Sequence, residues 1–490
     1  MINLALSAIA AQLNSKLHGD DMIITDVSTD TRTIKSGDLF VALSGDNFDA
    51  NRFVAKAAEQ GAIAAIVTKK QAVDIPQIIV KDSRVALGLL GKMVREQVNP
   101  QVAALTGSNG KTTTKEMLAA ILKLVAPTLA TAGNFNNDVG VPLTLLRLQQ
   151  QHQFAVMELG ANHKKEIGYT TGLVLPDVVL INNVDAAHLE GFGDLQGVAS
   201  AKGEILAGVK HSGLAVLNRD DKFYQYWLRK VDAQRHVSFS VVDDSADYFA
   251  ADIKFDDVGN PTFKLCTPNG ACTINLAVAG RHNVANALAA AAMASCFGID
   301  LDTIKLGLGT MENVQGRLKI SQLTPRIRII DDSYNANIAS VKAAVDVLTH
   351  FTSTNVLVMG DMGELGSSTA DMHQQVGHYA QQQNVDHVYT CGALSREAAL
   401  TAGDSGRAFL AQPALVDALV ELITTAPKTQ LFTLLFKGSR SAKMEQAISL
   451  LTTKLAELST MLTEDTMLIE KTALIENTTL VENTIKERKC

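Results

Sequence analysis

Residues 106–113 combine glycines, a lysine and hydroxyl side chains in a spacing that suits the binding of phosphate groups. They read Thr-Gly-Ser-Asn-Gly-Lys-Thr-Thr and follow the apolar run Val102–Leu105. Beyond them, apolar side chains recur at helical spacing from Leu118 to Val125. A strand, a Gly-rich turn and a helix that begins at Gly-Lys-Thr form the setting of a phosphate-binding loop.

The residues of this loop have distinct roles in phosphate chemistry. Gly107 and Gly110 would let backbone N–H groups approach the phosphates closely. The Lys111 ammonium would neutralise the β- and γ-oxygens, and the Thr112 hydroxyl would ligate Mg²⁺. Leu105 stands where the general phosphate-loop pattern has its first glycine, so the alternative is a Gly-rich turn that only caps a helix.

Candidate metal ligands follow the neighbouring strand candidates. Glu158 ends the apolar run Phe154–Met157, at the carboxyl edge where α/β sheets bind ligands. His188 follows the next strand candidate, Val178–Ile181, and Lys202 lies in a helical stretch. Their shared placement favours a common site over the alternatives of a helix cap, a surface histidine and a solvated lysine.

The sequence around these residues has the pattern of an α/β protein. Residues 1–100 contain short strand signals and a helical run, which predict a compact α/β module. Residues 101–314 alternate apolar strands with helices, the pattern of a mainly parallel sheet around the phosphate loop. Residues 315–458 restart that rhythm and predict a Rossmann-like C-terminal domain. We therefore expect three α/β domains.

The remaining residues, 459–490, contain three hexapeptide copies that begin at Thr466. A six-residue period fits neither a heptad nor a 3.6-residue helix. Three copies are also too few to build a solenoid with its own core. We expect a weakly structured tail.

Composition excludes several classes of protein. A chain of 490 residues is too long for a single hydrophobic core. A composition of 47% hydrophobic and 19% charged residues is typical of globular proteins. The net charge of −7 argues against a broad nucleic-acid or anionic-membrane surface. The five cysteines show no CxxC pair, which fits a reducing compartment.

The N-terminus has no basic segment before an apolar run, so we expect no signal peptide. The most apolar stretch, Val284–Ile299, is shorter than a membrane span and predicts a buried helix. We expect a cytoplasmic monomer without integral membrane contact.

Further segments, together with the phosphate loop, resemble the Mur ligase family. The likeness runs in order from about residue 25 to about residue 445, which chance Gly-rich loops would not produce. The segments are 133–142 (Gly-Asn-Phe-Asn-Asn-Asp-Val-Gly-Val-Pro), 157–160, 188–192, 201–205, 280–286, 316–318 and 331–337.

The resemblance implies an ADP-forming ligase, which phosphorylates a substrate carboxylate and lets an amine attack the acyl phosphate. It implies ATP and two Mg²⁺ ions as cofactors, with a CO₂-derived carbamate on Lys202. The implied catalytic residues are Lys111, Glu158, His188 and Lys202. The implied metal ligands are Thr112, Glu158, His188 and Lys202. The implied ATP contacts are Gly107, Ser108, Asn109, Gly110, Lys111, Thr112, Thr113, the adenine pair Asn283 and Asn286, and the third-domain residues Arg317 and Asp332.

Segments 332–337, 358–366 and 436–440 resemble the branch of the family that adds D-alanyl-D-alanine to UDP-N-acetylmuramoyl-tripeptide in peptidoglycan precursor synthesis. The Asp-Asn-Pro-Arg signature of the diaminopimelate-adding branch is missing. An amino-acid-adding or folylpolyglutamate-type ligase is the alternative. A phosphate-loop regulator or kinase without ligase activity is the alternative from another class.

Segments 28–32, 37–43 and 48–51 resemble the uridine-binding module of these ligases. The implied substrate-binding residues are Thr31, Arg32, Asp49, Asn134 and Asn137. Asn51 replaces a histidine usual in the module, and Ile338 replaces a proline usual after Asn337. Neither is a proposed metal ligand, so the departures bear on fine substrate contacts. Whether the third peptide residue is diaminopimelate or lysine stays open.

Overall fold

Apolar runs bounded by glycine and polar turns form three main sheets. The computed structural model describes residues 1–45, 48–186, 189–209, 212–231 and 235–458. The predicted tail, 459–490, lies outside the described residues. The described residues divide into two compact units, one of Met1–Asn313 with Glu364–Gly366 and one of Val314–Gly363 with residues 367–458.

The first unit begins with a five-stranded sheet. Its strand order is β2-β9-β8-β5-β4, and all its pairs are parallel except β2 with β9. The strands are β2 (Leu17–His18), β4 (Asp26–Ser28), β5 (Asp38–Val41), β8 (Ala64–Val67) and β9 (Gln77–Ile79). Two short ribbons pair β1 (Leu4–Ala5) with β3 (Ile23–Ile24) and β6 (Ser44–Gly45) with β7 (Phe48–Asp49). The helices are α1 (Leu6–Gln12), α2 (Val54–Glu59) and α3 (Ser83–Val98).

Helix α3 connects this sheet to the next one. Asp82 caps its start, and its buried face, which includes Leu87 and Leu90, belongs to a hydrophobic core that both sheets share. Buried Arg95 donates hydrogen bonds of 2.7 and 2.9 Å to the carbonyls of Val174 and Leu175. Both sheets therefore lie in one compact unit, and the predicted boundary at residue 100 stays a prediction.

The second sheet has nine strands in the order β11-β12-β10-β13-β14-β15-β16-β17-β18. Neighbours from β11 to β16 are parallel, whereas the two pairs that β17 makes, with β16 and β18, are antiparallel. The strands are β10 (Gln101–Thr106), β11 (Thr128–Ala130), β12 (Phe154–Glu158), β13 (Val178–Ile181), β14 (Leu214–Asn218), β15 (His236–Ser240), β16 (Tyr248–Phe255), β17 (Pro261–Thr267) and β18 (Gly270–Asn275). The helices are α4 (Lys111–Lys123), α5 (Gly140–Leu146), α6 (Glu166–Val174), α7 (Leu189–Phe192), α8 (Leu195–Lys202), α9 (Tyr224–Leu228), α10 (Arg281–Cys296) and α11 (Leu301–Gly309).

The second unit has a six-stranded sheet in the order β19-β20-β24-β21-β22-β23, in which only β19 is antiparallel to its neighbour. The strands are β19 (Lys319–Thr324), β20 (Ile327–Asp332), β21 (Thr354–Gly360), β22 (His387–Cys391), β23 (Gly406–Phe409) and β24 (Phe432–Lys437). The helices are α12 (Ile338–Leu348), α13 (Thr369–Gln382), α14 (Arg396–Thr401), α15 (Gln412–Thr425) and a last helix at 444–458. The parallel layout agrees with the prediction, although the last strand inserts between β20 and β21.

Among the described residues, no helix combines the length and the apolarity that a membrane span requires. The cytoplasmic location and the monomeric state stay predictions.

Candidate functional site

The predicted phosphate loop lies between β10 and α4. Helix α4 begins at Lys111, and Gly110 before it has φ +77°, a left-handed conformation that glycine adopts without strain. The Lys111 Nζ atom donates a hydrogen bond of 2.6 Å to the carbonyl of Gly107. The lysine therefore lies over its own loop, beside the N-terminus of a thirteen-residue helix, where backbone N–H groups favour an anion.

The two loop glycines also make room for asparagine side chains. A Cβ atom at Gly107 would lie 2.9 Å from Cβ of Asn182. One at Gly110 would lie 2.2 Å from Oδ1 of Asn286 and 2.5 Å from Nδ2 of Asn182. Such distances are too short for a real Cβ, so both glycines are needed for internal packing.

A network of amide groups surrounds the tip of the loop. Asn183 accepts a hydrogen bond of 2.8 Å from the Asn109 N–H and donates one of 3.1 Å to the Asn109 carbonyl. Asn182 donates to the same carbonyl at 2.9 Å and to Oδ1 of Asn286 at 2.9 Å. The residues after β13 and the first turns of α10 thus hold the loop.

Glu158 is at the carboxyl end of β12, directly beside Leu105 of β10 in the parallel register. Its carboxylate is buried and accepts hydrogen bonds from two sides. The Thr112 hydroxyl donates to Oε2 at 3.0 Å, and the Asn136 amide donates to Oε1 at 2.9 Å. The predicted Thr112–Glu158 pair is therefore brought together at the first turn of α4.

Lys202 ends α8 and is 3% exposed. Burial lowers the pKa of its ammonium well below the ordinary value of 10.5, and repulsion from Lys111 lowers it further. Within the described part of the chain, no carboxylate lies within ion-pair distance of Lys202. Its predicted companion His188 lies outside the described residues.

The predicted adenine pair lies buried on α10. The Asn286 amide donates a hydrogen bond of 2.9 Å to Oδ1 of Asn283. The Asn283 amide donates one of 2.7 Å to the carbonyl of Ala279. The Oδ1 atom of Asn286 also accepts from the Thr114 hydroxyl at 3.2 Å. One face of α10 is thus tied to α4, and the contact with adenine stays a prediction.

The predicted substrate residues of the first sheet are bound to their own loops. Exposed Arg32 pairs with Asp30, and this lowers the pKa of Asp30 to about 2. Thr31 lies in the same short 3₁₀ turn. Asp49 accepts from both the side chain and the backbone N–H of Asn51, which lowers the pKa of Asp49.

Asn51, which departs from the family pattern, is buried and well partnered. Its amide donates to the hydroxyls of Ser44 and Thr68 and accepts from the Thr68 N–H. Asn51 therefore joins the β6–β7 ribbon to the end of β8.

The predicted substrate residues Asn134 and Asn137 lie in the loop before α5, on either side of Asn136, which contacts Glu158. Asn134 is exposed, and Asn137 accepts a hydrogen bond of 2.8 Å from the N–H of Gly140, where α5 begins. Between them, Asn136 points to Glu158. Sequence reasoning missed Asn136, although it stands in the Gly-Asn-Phe-Asn-Asn-Asp segment that carried the resemblance.

In the second unit, Asp332 forms a buried ion pair with Lys437, whose Nζ lies 2.5 Å from Oδ2. Burial raises the pKa of Asp332 and lowers that of Lys437. The Arg317 guanidinium lies over the Tyr334 ring, 4.1 Å from its centroid. Lys437 received no role from sequence reasoning, because its pairing depends on β24 lying beside β20.

Three family models match the chain. They are described as Mur ligase family, catalytic domain (residues 23–125), Mur ligase middle domain (105–294) and Mur ligase, glutamate ligase domain (316–457). The UDP-N-acetylmuramoyl-tripeptide--D-alanyl-D-alanine ligase of Escherichia coli (strain K12) is 46% identical over 91% of this chain and 98% of that protein.

Two solved structures have a similar fold. MurF from Acinetobacter baumannii is 40% identical, with a TM-score of 0.88 over 92% of this chain and 99% of that one. MurF ligase from Thermotoga maritima in complex with ADP is 26% identical, with a TM-score of 0.77 over 88% and 98%. These likenesses confirm the predicted α/β fold class with three domains, whereas the residue boundaries stay predictions.

The parallel sheet, the phosphate loop and the Thr112–Glu158 pair are together those of an enzyme of the phosphate-loop α/β class. The chain belongs to the Mur ligase family.

Proposed function

We propose that the chain joins D-alanyl-D-alanine to UDP-N-acetylmuramoyl-tripeptide and converts ATP to ADP and phosphate. The γ-phosphoryl group passes to the terminal carboxylate of the peptide, and ADP leaves. The free amine of the dipeptide then attacks the acyl carbon, a C–N bond forms, the C–O bond to phosphate breaks, and the nitrogen loses a proton. The name of the Escherichia coli relative, which is 46% identical, supports this substrate pair.

The observation that carries the proposal is the meeting of Lys111, Thr112 and Glu158 at the start of α4. Lys111 is held beside the loop, so its ammonium can exchange the Gly107 carbonyl for a phosphate oxygen. Fixed cationic and N–H groups stabilise the charge that moves between phosphoryl oxygens. ADP bound to the Thermotoga maritima MurF supports ATP as the phosphoryl donor.

The donor set suits Mg²⁺. Thr112 offers a hydroxyl and Glu158 a carboxylate, both oxygen ligands of the kind that Mg²⁺ takes together with nucleotide phosphates. Among the described residues no three His, Cys, Asp or Glu side chains converge, so phosphate oxygens and water would complete the coordination. Mg²⁺ bound there would offset the repulsion between the carboxylate and the γ-phosphate.

Lys202 supports a second, carbamate-containing site. A buried lysine whose pKa is lowered holds a larger share of neutral amine, and the neutral amine is the form that adds CO₂. The addition forms an N–C bond, releases one proton and leaves an anionic oxygen ligand. We propose that this carbamate and His188 serve the second Mg²⁺ ion.

We propose that residues 1–100 bind the UDP moiety through Thr31, Arg32 and Asp49. Asn134 and Asn137 would bind the adjoining part of the substrate. Residues 101–314 would bind ATP, and residues 315–458 the dipeptide.

The test measures ADP release while each substrate is omitted in turn. Rapid release should require ATP, the UDP-muramoyl tripeptide and the dipeptide together. Release that is independent of any amine would show an ATPase or kinase and overturn the ligase proposal. Mass spectrometry of the product, which should be the UDP-muramoyl pentapeptide, separates amide formation from uncoupled hydrolysis.

A further inference from the structure

Asn182 follows β13, the strand next to the one that leads into the phosphate loop. Its side chain is 1% exposed and lies between the loop and α10. The single Nδ2 group donates to the carbonyl of Asn109 and to Oδ1 of Asn286, each at 2.9 Å. One amide therefore links the tip of the loop to the helix that carries the predicted adenine pair.

The chemistry of its neighbours fixes the orientation of this amide. Both neighbours of Nδ2 are oxygen acceptors, so a flipped amide would place Oδ1 against them. In the present orientation, Oδ1 is buried and has no hydrogen-bond partner within the described residues. A buried unpaired acceptor costs free energy and calls for an explanation. Here the explanation is that only this orientation supplies two donors to the loop and α10.

The backbone is shaped around the same contact. Gly110 is the last loop residue before α4, and any side chain there would collide with the amides of Asn182 and Asn286. Gly107 likewise lies against Cβ of Asn182. Both glycines of the loop thus lie against one asparagine, so the loop backbone and the Asn182 side chain constrain each other.

We propose that Asn182 is a positioning residue that fixes the phosphate loop for the nucleotide and couples it to the asparagine pair of α10. It acts through Asn109 and Asn286 rather than by touching the nucleotide. The inference rests on the nucleotide site of the proposed function.

The network lets this role be separated from stability. Without Asn182, the Asn109 carbonyl keeps the Asn183 amide at 3.1 Å, and Oδ1 of Asn286 keeps the Thr114 hydroxyl at 3.2 Å. Asn182→Leu keeps the branched arrangement of heavy atoms and removes the unpartnered Oδ1, while both former acceptors keep these other donors. The variant should therefore fold while it holds the loop less firmly.

The experiment measures ADP affinity by calorimetry with Mg²⁺ present, together with the thermal midpoint of the protein without nucleotide. In Asn182→Leu the Kd for ADP and the KM for ATP should rise by about tenfold, the scale of one or two lost hydrogen bonds. The thermal midpoint should stay within a few degrees of the original protein. Asn182→Ala, which cannot clash, replaces this variant if the leucine variant precipitates.

Asn355 provides the matched control in the other unit. It is also buried. Its amide donates a hydrogen bond of 3.1 Å to the carbonyl of Phe351 and accepts one of 3.0 Å from the Ser353 hydroxyl. Asn355→Leu should lower the thermal midpoint and leave the Kd for ADP unchanged.

Coupling to α10 is tested with Asn286→Ala alone and together with Asn182→Leu. Because both residues share one hydrogen bond, the double variant should lose less ADP affinity than the product of the single losses. Equal ADP affinity in Asn182→Leu and the original protein, or full additivity in the double variant, would overturn the inference. Failure of the original protein to bind ADP would instead overturn the proposed function.

Discussion

The Thr112 hydroxyl donates a 3.0 Å hydrogen bond to Oε2 of Glu158 and so joins the first turn of α4 to the end of β12. The two residues meet because β10 and β12 are parallel neighbours, which brings the residues after β10 and the last residue of β12 to one edge. The Asn136 amide holds the other carboxylate oxygen. These two hydrogen bonds therefore orient both proposed oxygen ligands.

This arrangement predicts the effect of Glu158→Gln. The change keeps the shape of the side chain but removes the charge that attracts Mg²⁺ and places an amide N–H against one of its two donors. Turnover should fall by about 100-fold or more, and excess Mg²⁺ should recover part of it. Steady-state ADP release across a Mg²⁺ series checks this. Glu96→Gln, at an exposed position of α3, controls for the loss of one negative charge.

Lys111→Ala tests the phosphate loop itself. Loss of the ammonium should lower turnover by several orders of magnitude, because electrostatic stabilisation is the main device of phosphoryl transfer. The sequence alone suggests that this lysine has no partner without ATP, but its Nζ bonds to the Gly107 carbonyl. Removal should therefore cost about 1 kcal/mol of unfolding free energy, measured by urea denaturation. Near-normal turnover would refute the assignment of the loop.

The lowered pKa of Lys202 predicts how stability depends on pH. Below its native pKa, Lys202 is protonated in both folded and unfolded chains, and the penalty for burying the charge is complete. The penalty shrinks as pH rises toward the unfolded value near 10.5, because the folded state then binds fewer protons. The original protein should therefore gain stability over Lys202→Met between pH 7 and pH 9.

Urea denaturation in CO₂-free buffer measures that difference. Lys123→Met, at an exposed position, should show no such trend. A gap between the original protein and Lys202→Met that is constant with pH would contradict the buried neutral lysine.

The proposed carbamate has a separate test. Lys202→Ala should be nearly inactive, and acetate should restore some activity by supplying a carboxylate near the vacated position. No rescue by acetate, together with an unmodified lysine in the original protein by mass spectrometry under native conditions with bicarbonate, would count against the carbamate.

Local patterns predicted the loop and its flanking elements well. The apolar run of β10, the glycines and the helical stripe of α4 are neighbours in the chain, so their spacing is enough. The Asn182–Asn286 contact joins residues 104 positions apart, and the Lys437–Asp332 pair joins residues 105 apart. Both depend on strand order and helix packing, which periodicity does not contain. The strands β16 and β18 were not predicted either, because most of their side chains are half-buried or exposed and form no continuous apolar run.

The last prediction concerns the acceptor, which distinguishes a dipeptide-adding ligase from the amino-acid-adding ligases of the family. It rests on the segments 332–337, 358–366 and 436–440, on the missing Asp-Asn-Pro-Arg signature and on the similarity to ligases named for D-alanyl-D-alanine. A site that pairs buried polar groups with one dipeptide excludes other acceptors strongly, whereas one methyl contact contributes only about 1–3 kcal/mol. ADP release should be fast with UDP-muramoyl-tripeptide and D-alanyl-D-alanine. It should be slow with L-alanyl-L-alanine, and slow with UDP-muramoyl-dipeptide plus diaminopimelate or lysine. Faster release with the latter pair would identify an amino-acid-adding ligase and refute the dipeptide assignment.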